Sequence, residues 1–326
     1  MIKQLLIIAG LVSCPFLYSQ NVNIPDANFK AYLLGNSSIN TNGDGEIQLS
    51  EANNFTGSID CPSSNIASLT GIEAFVKIYQ LICYDNQIKS LDTSKNIALT
   101  SLECANNQMT NLIVSPSTIL NTINCDHNQL TNLDVSKNIG LESFDCSNNK
   151  LTGLDVSRNT ALFFLGCYQN LITNLDLSKN TALTEVLCSN NNLTKLNLKN
   201  GNNVNISSVG FRQNPNLNCI QVDDAAYSTS NWTEKDSWST YSTDCGYMST
   251  TDIKKTILKI YPNPASNTLN IETKDHFQKA EIYSINGQLM RTSRLQEINI
   301  SDLPKGNYIL NVETDIGSNS EKFIKE

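Results

Sequence analysis

Apolar side chains recur through the middle of the chain at a fixed interval of 21 residues. Two such columns are plain. The first is Ile88, Met109, Leu130, Leu151, Ile172 and Leu193, and the second is Leu91, Leu112, Leu133, Leu154, Leu175 and Leu196. A unit of this length cannot bury its own apolar side, so successive units must stack as coils and share one continuous core.

Cysteine and asparagine keep the same period. The cysteines are Cys83, Cys104, Cys125, Cys146, Cys167 and Cys188, and the asparagines are Asn86, Asn107, Asn128, Asn149, Asn170 and Asn191. Alternation along Phe144-Asp145-Cys146 predicts a short strand with Phe144 and Cys146 inward and Asp145 outward. Asn149 then turns the chain, and stacked asparagine amides are suited to satisfy the backbone groups of neighbouring coils.

One unit contains the patterns LxxLxCxxNxL and LxxLDVSxN, and both halves carry a strand signature. This repeat resembles the leucine-rich repeat over residues 57–222, in a short 21-residue variant like that of secreted, internalin-like bacterial proteins. The resemblance implies a parallel-β solenoid of seven to eight coils that binds partners, and it does not imply an enzyme. The predicted fold is mainly β, with a small helical N-terminal cap and a C-terminal antiparallel β-sandwich.

The ends of the array depart from the repeat, as expected for an N-terminal cap at 20–56 and a C-terminal cap at 223–247. Cys61 precedes Cys83 by 22 residues, and Ser64 stands in the asparagine column. At the far end the period places Val209 in the cysteine column. The C-terminal cap contains Trp232 and Trp238.

The periodic cysteines are predicted to be buried free thiols. Adjacent Cβ atoms in a parallel ladder lie ~4.8 Å apart, beyond the usual ~3.5–4.5 Å of a disulfide. Cys219 and Cys245 fall outside the period, and we expect these two to form a disulfide.

The N-terminus has the charge and apolar run of a signal peptide, residues 1–19, with cleavage near Ser19. The alternative is a lipoprotein box at Leu11-Val12-Ser13-Cys14, which would acylate Cys14. No later stretch is apolar enough to span a bilayer.

After a polar linker at 248–256, the period changes to strand alternation separated by turns at Asn286-Gly287 and Lys305-Gly306. Its motifs are Tyr261-Pro262-Asn263-Pro264, Ile282–Gln288, Leu303–Tyr308 and the closing Lys322-Phe323-Ile324-Lys325. Residues 257–326 resemble the C-terminal sorting domain of the type IX secretion system. The resemblance implies Sec export, translocation across the outer membrane by the type IX machinery, removal of this domain, and a secreted or surface-attached product.

A loop ahead of the first coil fits the twelve-residue calcium-binding pattern, with a helix predicted before it from Asp26 to Leu34. The expected ligands are Asn40, Asn42, Asp44, the carbonyl of Glu46, Gln48 and Glu51. Asn40 replaces the usual aspartate, so only Asp44 and Glu51 bring charge. The alternative is a polar turn without metal. Calcium is the one cofactor that the sequence leaves open.

The formal charge is −8, and no long Lys/Arg run is present, so nucleic acid and anionic membranes are poor partners. The chain has only two histidines, and none of the HExxH, GxSxG, P-loop or CxxC motifs occurs. The expectation is therefore a non-enzyme.

The predicted ligand-binding face consists of varied outward residues beside the cysteines: Tyr84, Glu103, Asn124, Asp126, Asp145, Phe164 and Tyr168. Aromatic and polar side chains together suit a protein or glycan ligand, which predicts an adhesin-like binding protein. One alternative is a structural surface or matrix protein without a specific ligand. Another is a glycan hydrolase using Glu103, Asp126 and Asp145 as paired carboxylates.

Overall fold

The structure is a computed structural model and describes residues 20–246, 258–273, 276–314 and 317–326. The chain divides into two compact units, Met1–Cys245 and Gly246–Glu326. The predicted signal peptide at 1–19, with its Cys14 alternative, and the linker at 248–256 lie outside the described residues. Among the described helices, none has the length and apolar character needed to cross a membrane.

The described part of the first unit contains three short α-helices, two 3₁₀ turns (Ile72–Ala74 and Asn203–Asn205) and fourteen strands. The helices are α1 (Ala27–Leu34), α2 (Leu49–Asn54) and α3 (Ala225–Asn231). The strands are β1 (Ser58–Asp60), β2 (Gln80–Ile82), β3 (Ser90–Asp92), β4 (Ser101–Glu103), β5 (Asn111–Ile113), β6 (Thr122–Asn124), β7 (Ser143–Asp145), β8 (Phe164–Gly166), β9 (Asn174–Asp176), β10 (Glu185–Leu187), β11 (Lys195–Asn197), β12 (Ser208–Gly210), β13 (Cys219–Gln221) and β14 (Thr240–Ser242).

One long parallel sheet runs the length of the solenoid. Its strand order is β1-β2-β4-β6-β7-β8-β10-β12. The middle residue of each strand pairs with its counterpart in the next coil, as Ile123 does with Phe144 and Phe144 with Leu165. Phe144 and Leu165 are fully buried, as alternation requires when one side of the sheet faces the core. The leucine-rich-repeat solenoid is confirmed, with eight coils in this sheet.

The second side of the solenoid is less regular than the repeat predicts. Strands β3 and β5 form one parallel pair, and β9, β11, β13 and β14 form a second parallel sheet. Between them, Leu133 and Leu154 pack against the core as partly buried side chains, but no strand is formed there in the described solenoid. The apolar column is therefore continuous while the backbone pairing on this side is interrupted.

The asparagine column joins neighbouring coils, as predicted. The Asn149 side-chain amide donates to the carbonyls of Cys125, Cys146 and Ser147 at 3.0 to 3.1 Å. Its Oδ1 accepts from the Leu130 backbone N–H at 2.9 Å. One buried side chain thus satisfies four backbone groups in two coils. The chain leaves regular strand pairing at this turn, so these groups would otherwise have no partners.

The last coil corrects one prediction. Val209 pairs with Val186, so it stands in the column of strand centres and not in the cysteine column. Phe211, fully buried, takes the cysteine position instead. The step between Val186 and Val209 is 23 residues, because the turn containing the 3₁₀ segment at Asn203–Asn205 adds two residues to this coil.

Each end of the solenoid is closed by a helix and by polar contacts. Asp26 accepts from the N–H groups of Asn28 and Phe29 at the start of α1, and its other oxygen accepts from the N–H of Ala67 at 2.8 Å. At the C-terminal end Trp232 is buried and Trp238 is half exposed. A disulfide joins Cys219 and Cys245, whose Cα atoms are 5.8 Å apart.

The second unit is an antiparallel β-sandwich, as predicted. Its strands are β15 (Lys259–Tyr261), β16 (Thr268–Glu272), β17 (Phe277–Ser284), β18 (Leu289–Ser293), β19 (Glu297–Asn299), β20 (Gly306–Thr314) and β21 (Gly317–Lys325). One sheet has the order β15-β16-β19 and the other β18-β17-β20-β21. Both contribute to one core, with Leu269 and Ile298 from the first and Ile282 and Leu310 from the second.

Candidate ligand-binding face

The outward side of the eight-stranded sheet presents three columns of side chains. They stand at the first residue of each strand, at the third residue, and two residues beyond the strand. We call this surface the ladder face. The structure places the seven predicted residues on it as half-buried side chains: Phe164 in the first column, Glu103, Asn124 and Asp145 in the second, and Tyr84, Asp126 and Tyr168 in the third.

Strand register fixes the neighbours within the second column. Glu103 lies opposite Asn124, and Asn124 lies opposite Asp145. Asn124 therefore separates two carboxylates that would repel each other as direct cross-strand neighbours. Its Oδ1 also accepts from the Asp126 backbone N–H at 3.1 Å, which links the second and third columns.

Asp145 occupies a notch made by a glycine. Gly166 is its partner on the next strand, and a Cβ atom added at Gly166 would lie only 2.8 Å from Asp145 Oδ1. Any other residue at position 166 would displace the carboxylate. Burial raises the pKa of Asp145, and nearby Asp126 acts in the same direction, while hydrogen bonding from Ser147 opposes the rise. The structure thus keeps one acid of the ladder face partly desolvated.

Asp126 is oriented by the next residue along the chain. Its Oδ2 lies 2.7 Å from Nδ1 of His127, whose side chain is 53% exposed. His127 has a positive φ of 49°, and the equivalent turn residues Asn106 and Asn148 share this conformation. The turn geometry is therefore a property of the repeat, and the contact with Asp126 is particular to this coil.

Sequence reasoning missed other members of the ladder face. Glu185 lies opposite Phe164 and is half-buried. Asp60 stands in the second column on β1, and Gly166 provides the notch. The period of 21 residues leads directly from Phe164 to Glu185, so that signal was available. The role of Gly166 was not, because it depends on a contact between strands.

The seven periodic thiols line the interior and are free and buried. Burial raises the pKa of Cys167 to about 12, and Asp145 adds to the effect. The same desolvation raises the pKa of Cys83, Cys104, Cys146 and Cys188. A protonated, enclosed thiol is neither a nucleophile nor a metal ligand, so these side chains act as small apolar groups.

A second aspartate column caps turns away from the ladder face. Asp92, Asp134, Asp155 and Asp176 each accept from the backbone N–H two residues onward, at 2.8 to 2.9 Å. These contacts match the Asx turn, in which a side chain replaces a backbone acceptor. The basic residues that follow each aspartate by three positions make none of the ion pairs found in the described part of the chain.

The loop from Asn40 to Glu51 lines an open cleft of about 460 Å³ in the N-terminal cap. Three of the predicted ligands converge there. Asn42 Nδ2 lies 2.9 Å from Asp44 Oδ2 and 2.7 Å from Gln48 Oε1, and Gln48 Nε2 lies 3.0 Å from Asp44 Oδ2. Hydrogen bonds from Glu46 and from Gln48 lower the pKa of Asp44. The side-chain amide hydrogens of Asn42 and Gln48 thus occupy the positions beside the Asp44 carboxylate that a bound cation would take.

The other predicted ligands are held by the loop itself. Glu51 Oε1 accepts from the N–H and hydroxyl of Thr41 and the N–H of Asn42, whereas Oε2 accepts only from Gln48 N–H. Burial tends to raise the pKa of Glu51, but these bonds outweigh it and the net direction is down. The Glu46 carboxylate pairs with Lys30 at 2.8 Å, and Asn40 Oδ1 accepts from Gly43 N–H.

Charged ligands are scarce in this loop. Among the described residues, no group of three or more His, Cys, Asp or Glu side chains is arranged to hold a metal ion. A cation here would depend on amide and carbonyl oxygens, which calcium accepts readily. Rotation of the Asn42 or Gln48 amide by 180° would present such an oxygen, since the two ends of an amide have nearly the same shape.

Comparison with protein families identifies the second unit. Residues 259–326 match the family described as the secretion system C-terminal sorting domain. The second unit is a secretion-system sorting domain. This sorting domain directs the chain into type IX secretion, to the cell surface or the surrounding medium. The strands described for this unit, β15 to β21, all lie within the matched range.

Several solved structures are similar to the chain. The functional domain of InlJ from Listeria monocytogenes, which includes a cysteine ladder, shares 20% identity and covers 94% of this chain and 98% of its own, at a TM-score of 0.34. A leucine-rich-repeat protein of Leptospira interrogans shares 17% identity over 51% of this chain and 62% of its own, with a TM-score of 0.36. YopM from Yersinia enterocolitica shares 22% identity over 45% of this chain and 34% of its own, also with a TM-score of 0.36.

The parallel pairing and the 21-residue repeat define the fold. Comparison with curated proteins gave no match.

Proposed function

We propose that this chain is an exported, non-catalytic binding protein whose ladder face holds a protein or glycan ligand, in the manner of an adhesin. The observation that carries the proposal is the contrast on the eight-stranded sheet. Its inward residues are apolar and buried, apart from the partly buried Val209, whereas its outward residues are varied, mostly half-exposed and mixed in chemistry. Aromatic rings beside polar groups are the composition of interaction hot spots.

The dimensions of the ladder face suit a macromolecular ligand. Eight parallel strands give seven steps of about 4.8 Å each, or about 34 Å in total. Phe164 and Tyr168 lie in one coil and Tyr84 lies four strand steps away, or about 19 Å, and each of the three rings is half-buried. Rigid three-residue strands on a packed core also hold these side chains in place before a ligand arrives, which reduces the entropy lost on binding.

A binding screen with matched variants tests the proposal. The purified protein is applied to immobilised glycans and extracellular proteins, together with a Tyr84→Ala, Phe164→Ala, Tyr168→Ala triple variant. A control triple variant replaces exposed apolar side chains elsewhere, Ile97→Ala, Ile119→Ala and Ile139→Ala. The proposal predicts a saturable ligand that the aromatic triple variant loses by about tenfold or more and the control retains.

Two results would contradict it. Folded protein without any saturable ligand would favour a structural surface or matrix role. Turnover of a glycan that disappears in Glu103→Gln or Asp145→Asn would favour the hydrolase alternative, in which the acids of the ladder face act as a pair.

We also propose that the Asn40–Glu51 loop binds a calcium ion that stiffens the N-terminal cap. The grouping of Asn42, Asp44 and Gln48, which contact one another in an open cleft, supports this role. Glu51 Oε2 is the carboxylate oxygen with remaining acceptor capacity, since it takes one hydrogen bond. With two charged ligands, binding should be weak.

Thermal unfolding with millimolar calcium or with a chelator tests the calcium proposal. We expect calcium to raise the melting temperature of the native protein and of an Asp92→Asn control, but not that of Asp44→Asn or Glu51→Gln. Equal melting temperatures with calcium and with chelator would leave the loop as a polar turn.

A further inference from the structure

Charge is distributed unevenly around the solenoid. In the first seven strands of the ladder face the three outward columns contain five acids and no lysine or arginine: Asp60, Glu103, Asp126, Asp145 and Glu185. The eighth strand contributes Arg212 to the third column, where its Nε lies 3.0 Å from Glu234 Oε2. The ladder face therefore carries one sign of charge over most of its length.

The other sides of the solenoid are mixed. Between positions 57 and 222 the chain has ten lysine and arginine residues, and nine of them lie outside the ladder face. On the turns beyond the second side, basic residues alternate with the aspartate column, as Lys137 does with Asp134 and Arg158 with Asp155. A net charge of −8 over the whole chain does not require this separation, because the cations could stand in any outward column.

None of the five acids pairs with a lysine or arginine in the described part of the chain, and only Asp126 has a basic partner there, the exposed His127. Asp145 is fixed over Gly166, where a side chain would collide with its carboxylate. Phe164 begins the strand that ends at Gly166, and Tyr168 lies two residues beyond that strand, so each ring is two residues from Gly166, or about 7 Å in extended chain. A carboxylate with aromatic rings on both sides suits a lysine or arginine, whose charge meets the acid while its alkyl stem and cationic group lie against a ring.

We infer that the ladder face binds a basic protein surface, one that presents lysine and arginine side chains to the acids between Glu103 and Glu185. The inference rests on the proposed binding function and specifies the ligand class. Protein is favoured over a cationic glycan because aliphatic Ile82 and Leu187 stand in the second column among the acids and rings. That mixture matches the anatomy of protein interfaces.

The experiment compares two isosteric triple variants with the same change in charge. The first, E103Q/D126N/D145N, removes three of the five acidic charges of the ladder face. The second, D134N/D155N/D176N, neutralises the aspartate column that caps turns elsewhere. The probes are cytochrome c as a basic protein, its fully acetylated form, and chitosan oligosaccharides as a cationic glycan, each measured from low to physiological salt. Circular dichroism and thermal unfolding confirm that both variants are folded.

The expected result is saturable binding of cytochrome c that weakens about tenfold in the first variant, less than about twofold in the second, and falls with added salt. Acetylated cytochrome c should not bind. Equal weakening in both triple variants, or binding of chitosan without the basic protein, would overturn the inference. The proposed function would survive if a neutral glycan or protein from the screen still depended on Tyr84, Phe164 and Tyr168, and would fail with the inference if no ligand bound.

Discussion

The inward and outward side chains of the eight-stranded sheet differ sharply although they alternate along the same three-residue strands. Inward positions are Leu, Ile, Val or Phe at the strand centre, followed in seven coils by a cysteine. Outward positions range from Gly166 to Phe164 on a single strand. Each inward side chain packs against its copies in the coils above and below, so uniformity is enforced there. Outward side chains meet solvent and are free to differ. The outward positions are therefore the ones that could determine ligand specificity.

The largest expected effect is a difference in lost stability between alanine variants of two phenylalanines on adjacent strands. Phe144 is fully buried, while Phe164 is half-buried on the ladder face. Phe144→Ala should reduce the free energy of unfolding by about 4 kcal/mol, because it leaves a cavity between stacked coils. Phe164→Ala should reduce it by less than about 1.5 kcal/mol, since its ring already meets water. Denaturant unfolding checks both, and similar losses would mean that the two sides are not distinct.

The second effect compares two asparagines. Asn149→Ala removes a side chain that satisfies four backbone groups and should cost about 3 kcal/mol, since buried polar groups lose their partners. Asn124→Ala removes one acceptor at a half-exposed site and should cost about 1 kcal/mol or less. The same unfolding measurement applies. A small loss at Asn149 would show that water replaces the amide between coils.

The third effect is chemical, and it compares a thiol inside the sheet with one outside. Burial raises the pKa of the seven periodic thiols, to about 12 at Cys61 and Cys167. Their reactive thiolate fraction should therefore be about three orders of magnitude below that of an ordinary cysteine. We expect a thiol reagent to modify none of the seven in the folded protein and all of them in denaturant. Ser143→Cys, on the outward side of the same strand as Phe144, should react in the native state. Rapid modification of the seven periodic thiols in the native protein would show that they are not enclosed.

Much of the fold could be predicted from the period, for a physical reason. Stacked coils must repeat their inward residues. Once Cys146 and Asn149 are placed in one coil, the period therefore predicts the positions of the equivalent residues in the other coils. Val209 shows the limit. Extrapolating the period put it in the cysteine column, but a two-residue insertion around Asn203–Asn205 moved Phe211 there. A period contains no signal for an insertion in its last unit.

The ladder face was predictable as a location but not as an arrangement. Alternation placed Asp145 outward, and the structure agrees. The notch at Gly166 could not be foreseen, because it arises where one strand lies against the next and not from any local pattern. The same applies to the contact between Asp126 and His127. Side-chain contacts across coils depend on register, which a single repeat does not specify.

The smallest effect compares an acid of the ladder face with an acid of the N-terminal cap. Burial raises the pKa of Asp145 above 3.8, with Asp126 raising it further, while Ser147 and His127 oppose the shift. Its contribution to stability is therefore present below pH 3.8 and lost as the pH rises through the folded-state pKa. Hydrogen bonds from Gln48, Thr41 and Asn42 overcome burial and lower the pKa of Glu51 below 4.5. The contribution of Glu51 is present above that pH and lost as the pH falls through its folded-state pKa.

Opposite signs follow for the two neutral variants. At pH 7 Asp145→Asn should be slightly more stable than the native protein and Glu51→Gln less stable, and both differences should shrink as the pH falls. Unfolding free energies measured from pH 7 to pH 3 check this, with the Asp92→Asn variant as a control at a turn. A ladder-face acid that reduces stability does not serve the fold, as expected for a residue of the proposed binding surface. If Asp145→Asn proved destabilising at pH 7, the Asp145 carboxylate would stabilise the fold. The distinction between inward residues that stabilise the fold and outward residues that do not would then fail for Asp145.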